Sequence, residues 1–308
     1  MRSLWGLGGL SWWQLALRVW RQGWKDELPG RCAELAYYFL FASFPLLLFL
    51  TSLLGYLAGG NPALRASLFD YLASISPSPQ VTALLHNTLD QILRARGGAR
   101  ISLSLVVALW VASSGVLALT RTLNTTCGVK ETRSWWKRRL QAVVLTITFS
   151  ALLISALALI FYGAGIGEAL AGRLGLHSAF VFAWRFLHLP LLLAAVLLSF
   201  EIVYNYAPDL DLRARRRWGT PGAVIGVALW LAASFGLRLY LAESGSHTIT
   251  YGSLGAVILL MVWFYLTAFS LLVGAEINSE IERQIAQAPP ARASRPAATA
   301  ARSRRRRR

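Results

Sequence analysis

The chain has 308 residues, of which 56% are hydrophobic and 15% charged, and its 31 lysines and arginines against 14 acidic residues give a formal net charge of +17. A soluble globular chain carries about a quarter of its residues charged, so this composition excludes a soluble domain. The deficit is local: Leu35–Leu64, Ile101–Thr120, Leu140–Gly167, Trp218–Leu237 and Ser244–Ala275 contain no Asp, Glu, Lys or Arg.

Residues 1–30 interleave Trp5, Trp12, Trp13, Trp20 and Trp24 with Arg18, Arg21 and Lys25. Tryptophan favours the headgroup layer, so this arm reads as an amphipathic interfacial helix and not as a cleavable signal. Each uncharged run that follows supplies the roughly 20 helical residues that cross about 30 Å of hydrocarbon. A sixth apolar stretch, Ser178–Tyr206, is interrupted by Arg185 and Glu201. Pro45 lies in the first span and Pro190 in the fourth; Ser113, Ser114 and Gly115 lie midway along the second. Ser150, Ala151, Ser155 and Ala156 make the third span rich in small residues, which predicts an interior position. Between the first two spans, residues 59–100 show two apolar helical faces split by Ser76–Pro79, the pattern of a helical hairpin. From about Ala288 the chain is mostly Ala, Pro, Ser and Arg, and the tail, 283–308, is expected to be disordered. The expected fold is all-α: a polytopic membrane domain over 31–282 with six transmembrane helices, preceded by the interfacial helix and carrying an extracytoplasmic hairpin.

Basic residues alternate between the connections. Arg31, Lys130, Arg133, Lys137, Arg138, Arg139, the 213–217 arginines and the tail fall on one side with the N-terminal arm. Only Arg65, Arg94, Arg96, Arg100 and Arg173 fall on the other. The positive-inside rule places both termini in the cytoplasm. Most of the net charge is then a topology signal and calls for no specific nucleic acid.

Charged groups inside a bilayer are costly and require a partner, water or a function. Glu34, Arg121, Asn124, Glu201, Asn205, Glu276 and Asn278 fall at the cytoplasmic ends of their helices and define a candidate polar cavity, with Arg121 or Arg31 as the countercharge to Glu201. Arg185, His188 and Arg238 form a candidate cluster near the outer ends. The alternative for all of them is snorkelling or structural helix pairing. The four histidines are scattered without metal spacing, Cys32 and Cys127 form no ligand pattern, and no nucleotide loop or hydrolase elbow is present. No metal, cofactor or enzymatic activity is expected.

Several segments resemble the YihY/virulence factor BrkB family of bacterial inner-membrane proteins, once labelled ribonuclease BN. They are Ala36-Tyr-Tyr-Phe-Leu-Phe-Ala-Ser-Phe-Pro45, Leu109-Trp-Val-Ala-Ser-Ser-Gly115, Leu123-Asn124, Glu131-Thr-Arg-Ser-Trp-Trp-Lys-Arg-Arg-Leu140, Pro221-Gly-Ala223, Thr250-Tyr-Gly-Ser-Leu-Gly255 and Gly274-Ala-Glu-Ile-Asn278. The resemblance runs from about Arg31 to Glu282. It implies a six-helix inner-membrane protein and a connection with lipid or lipopolysaccharide movement. The expected function is transport or lipid handling, with membrane lipids and a periplasmic lipid-transfer or envelope protein as partners. An ion-coupled transporter of a small solute is the alternative; a membrane ribonuclease using Glu131 or Glu276, or an envelope scaffold, stands behind it.

Overall fold

The computed structural model describes residues 4–57, 98–174, 178–210, 218–243 and 247–287, and among them all regular structure is helical. After a 3₁₀ segment, Leu4–Gly9, come α1 (Trp12–Lys25), α2 (Leu28–Leu57), α3 (Gly98–Thr126), α4 (Trp135–Leu174), α5 (Ser178–Tyr206), α6 (Pro221–Glu243) and α7 (His247–Gln287). Among the described residues five stretches are long and apolar enough to cross a membrane: Val106–Thr126, Trp135–Leu157, Leu189–Tyr206, Pro221–Leu241 and Gly255–Gln287. α2 has 30 residues and packs against α3 and α7. The expected hairpin lies outside the described residues apart from Gly98–Arg100, which begin α3. α7 continues through Arg283–Gln287, past the point where the tail was expected to begin; 288–308 lie outside the described residues.

From α2 to α7 each helix packs on the next, and α7 returns to α2 while also touching α3. The core sits at one end of this arrangement, the end bearing α1, the 127–134 connection and the close of α7. That end is called the basic end below. Cys32, Leu35, Leu123, Ala207, Ala223, Leu272 and Ala275 are buried there. Elsewhere large apolar side chains such as Phe186, Leu189, Phe235 and Leu239 are exposed. That pattern suits a bundle solvated by lipid, where close backbone approach rather than apolar burial holds helices together. Two contacts achieve such approach. A Cβ on Gly115 would stand 3.0 Å from the Ala42 Cβ, fixing α3 against α2. Between α6 and α7, Gly222 and Gly274 face one another with no room for a side chain.

Of the small residues that predicted an interior α4, Ser150 is buried and Ala156 half-buried, whereas Ala151 and Ser155 are exposed. The Ser155 hydroxyl donates to the Ala151 carbonyl at 2.8 Å, so its polarity is satisfied within its own helix and needs no neighbour.

The N-terminal arm is docked. Ser11 caps α1 reciprocally with Gln14, at 3.2 Å and 3.0 Å. Leu4, Leu7 and Leu15 bury against Ile277 and Ile281 of α7, and the Trp5 indole N–H donates to the Gly219 carbonyl at 2.7 Å. Arg18 donates to Gln284 at 2.7 Å. Burial of one leucine such as Leu15 stabilises this contact by about 1.5–3 kcal/mol.

Candidate functional site

At the basic end the interior turns polar because helix termini converge there and leave backbone groups to satisfy. Thr220-Pro221 begins α6, with proline at the first helical position and the threonine hydroxyl accepting from the Ala223 N–H at 3.3 Å. Glu201 of α5 reaches this terminus. Its Oε1 accepts from the Thr220 N–H at 2.6 Å and the Thr220 hydroxyl at 3.0 Å, and Asn205 donates to its Oε2 at 3.3 Å. Asn278 of α7 closes the junction by donating to the Thr220 hydroxyl at 3.0 Å and accepting from the Gly222 N–H at 2.9 Å. The expected arginine countercharge is absent from this set: Arg31 donates to the Asp26 carbonyl, and Arg121 is exposed. Glu201 instead meets neutral donors and the positive end of the α6 dipole, which suffices for a carboxylate at a helix N-terminus.

A second knot ties the connection after α3 to the segment after α5. Asn124 donates to Glu131 at 2.8 Å and accepts from the Asp209 N–H at 2.8 Å. Arg133 lies between two acids, 2.7 Å from Glu131 and 3.5 Å from Asp209, and also donates to Gln141 and to the Ala207 carbonyl. Burial works to raise the Glu131 carboxyl, but the hydrogen bonds and charge of Arg133, with Asn124, outweigh it and hold it below the usual range. Thr132 donates to Asp209 through both its N–H and its hydroxyl, at 2.8 Å and 2.5 Å.

A third group lies on α7. Glu276 is fully buried, with Oε1 3.4 Å from Arg283 and Oε2 without a hydrogen-bond partner among the described residues. Arg283 also pairs with Glu280 at 2.7 Å and donates to the Thr126 carbonyl at 3.0 Å. Beside it, burial, then the Glu282 and Glu276 charges, push the Cys127 thiol up to about 12.

The structure thus brings together Asn124, Glu201, Asn205, Glu276 and Asn278 at one end of the bundle. Glu34 and Arg121 are exposed and stand outside this interior set. The space among the polar groups is a cavity of about 30 Å³ bordered by Asn205, Thr220, Asn278 and Glu282. That holds a water molecule or two, so the expected cavity is small in this structure. Of the outer cluster, Arg238 is exposed, and the side chains of Arg185 and His188 lie outside those described. No group of His, Cys, Asp and Glu among the described residues is arranged to hold a metal ion. Sequence reasoning missed Thr220 and Asp209. The Thr-Pro pair was a legible helix-start signal, whereas nothing local marks Asp209 as a partner of residues 77 positions away.

Immediately beside the polar junction is an apolar recess of about 520 Å³, walled by α1, α6 and α7. Ile277 lines this recess while its neighbour Asn278 belongs to the polar junction, and on α6 Ile225 and Gly222 divide in the same way.

A family model described as virulence factor BrkB matches residues 19–299, and the chain belongs to that family. It is 32% identical over 258 residues to the putative ribonuclease-like protein YfkH of Bacillus subtilis, covering 84% of this chain and 91% of that protein. It is 24% identical to a UPF0761 membrane protein of Tolumonas auensis, over 85% of this chain and 83% of the relative. A UPF0761 membrane protein of Xanthomonas campestris pv. campestris is also 24% identical, over 85% of this chain but 59% of its own length. No solved structure matches.

Proposed function

We propose that this member of the BrkB family is a six-span protein of the bacterial inner membrane that moves or repositions lipid without covalent chemistry. The basic end, with both termini, faces the cytoplasm, as the distribution of Lys and Arg requires. The observation that carries the reading is the division of α6 and α7 at that end. Adjacent residues Ile277 and Asn278 present an apolar recess and a polar junction side by side. An amphiphile needs both surfaces at once; a small hydrophilic solute needs only the second. The side-chain hydrogen bonds of the junction are worth about 0.5–1.5 kcal/mol net each, or about 1.5–3 kcal/mol where they meet the Glu201 carboxylate, so losing one does not unfold the bundle. Lipid released on the outer face would pass to an envelope partner.

The test is reconstitution into liposomes containing a fluorescent phospholipid, with a quencher added outside. Wild-type protein is expected to expose inner-leaflet lipid faster than protein-free vesicles, and Glu201→Ala at matched, correctly inserted content to do so more slowly. Equal rates in wild-type and empty vesicles would refute lipid movement by the chain alone. A second reading, proton-coupled solute transport, is favoured by the unpartnered Oε2 of buried Glu276. It requires uptake that follows an imposed gradient and is lost in Glu276→Gln; gradient-independent uptake counts against it.

A further inference from the structure

The recess of about 520 Å³ is neither a headgroup site nor an aqueous cavity. Its volume falls within the roughly 300–1,000 Å³ of small-molecule sites. Its lining is apolar throughout: Trp20, Gly23 and Trp24 of α1, Ile225 and Leu229 of α6, and Val273 of α7. Apolar cavities do not hold water, so an empty recess would leave these side chains without contacts on one side. In a bilayer the abundant apolar filler is the lipid tail.

Its placement selects one tail. The recess extends along α7 from Ile277 to Phe269, about 12 Å at 1.5 Å per residue, inward from the helix end. Its outer wall is α1, whose Trp12, Trp20 and Trp24 are each more than half exposed. Arg21 and Lys25 are exposed on the side of α1 away from the recess, while Arg18 donates to Gln284 of α7. A tail entering between α1 and α6–α7 therefore leaves its headgroup at the tryptophan layer, where the positive potential of α1 reaches it.

We infer that the recess beneath α1 is a binding site for one acyl chain of an anionic phospholipid from the leaflet at the basic end, whose headgroup phosphate is held by the positive field of α1. This deepens the lipid-handling reading and rests on it, naming the lipid class and the place where a tail waits beside the polar junction. Its occupancy is nonetheless measurable without any transport.

The full-length protein is reconstituted with phosphatidylglycerol carrying a photoreactive diazirine in one acyl chain, irradiated, and digested for mass spectrometry. Label is expected on Trp20, Phe269 and Val273 above the level on Val144 and Ile147, which are exposed on the outer surface of α4. Ala16 also lines the recess, and Ala16→Trp fills it from α1. That variant is expected to lower recess labelling about tenfold, the effect of a 1.4 kcal/mol loss, while leaving α4 labelling unchanged. Excess unlabelled phosphatidylglycerol should compete better than phosphatidylcholine, and Arg21→Gln with Lys25→Gln should erase that difference. Recess labelling equal to that of α4 and indifferent to Ala16→Trp overturns the site. Equal competition by the two lipids overturns the headgroup assignment. Running the liposome assay on the same samples separates the two claims. Labelled recess without lipid movement leaves the site standing and refutes the transport reading, and movement without recess labelling does the reverse.

Discussion

Replacing Gly222 or Gly274 by alanine tests whether the α6–α7 crossing is the joint that holds the polar junction. A Cβ on Gly222 would lie 2.6 Å from the Asn278 Cγ and Oδ1 and closer still to the Gly274 carbonyl oxygen. A Cβ on Gly274 would lie 2.5 Å from the Gly222 carbonyl oxygen and collide with the Tyr204 hydroxyl. Backbone atoms cannot step aside as a side chain can, so the helices must separate. Overpacking of this kind costs about 1–3 kcal/mol. Separation also stretches the Gly222 N–H bond to Asn278, which adds about 0.5–1.5 kcal/mol. The same substitution at Gly236, where nothing lies within 4 Å, isolates the helix-propensity effect and should be neutral or stabilising by about 0.5–1 kcal/mol. Thermal unfolding in detergent, followed by loss of the monodisperse peak, should show Tm falling by several degrees for each junction variant and not for Gly236→Ala. The double variant should cost less than the sum, because the second Cβ enters a gap that the first has opened. Equal melting of Gly222→Ala, Gly274→Ala and Gly236→Ala would refute the close-packed crossing.

Three further outcomes are expected. The folded-state pKa of Glu131 is depressed, so its stabilising share is present above its ordinary value of about 4.5 and lost as pH falls below that. The Tm advantage of wild type over Glu131→Gln should therefore be constant near neutrality and shrink on acidification below about 4.5; a gap that widens in acid contradicts the assignment. At Glu201, Gln retains an acceptor for Thr220 and should cost under about 1 kcal/mol, whereas Leu strands the Thr220 N–H and hydroxyl at about 1–3 kcal/mol each. Equivalent melting of the two variants would show that these bonds are not made. Leu15→Ala removes a side chain that is 2% exposed and should cost about 2–5 kcal/mol of arm docking. Trypsin should then cut at Arg18, Arg21 or Lys25 faster than in wild type, while an unchanged cleavage rate would mean that Leu15 does not hold the arm.

Whatever depends on the bilayer as solvent was legible in the chain itself. Uncharged runs of span length announce helices, because a backbone in hydrocarbon must satisfy its own hydrogen bonds. The tryptophans and arginines of α1 announce an interfacial helix by their period alone. Membership of the family was legible too, and two of its segments, Glu131-Thr132-Arg133 and Gly274–Asn278, bring polar groups together at the basic end. What these residues meet was not legible. Glu34 and Glu201 are both carboxylates near span ends, yet one is exposed and the other is buried against the start of α6, a distinction set by helix rotation within the bundle. Composition likewise placed the small residues of α4 inside, whereas packing buries Ser150 and leaves Ala151 and Ser155 exposed. The recess and the junction exist only because α1, α6 and α7 converge, setting Ile277 and Asn278 against different neighbours on adjoining faces of one helix. Periodicity determines which residues share a helical face; only packing among helices decides what that face touches.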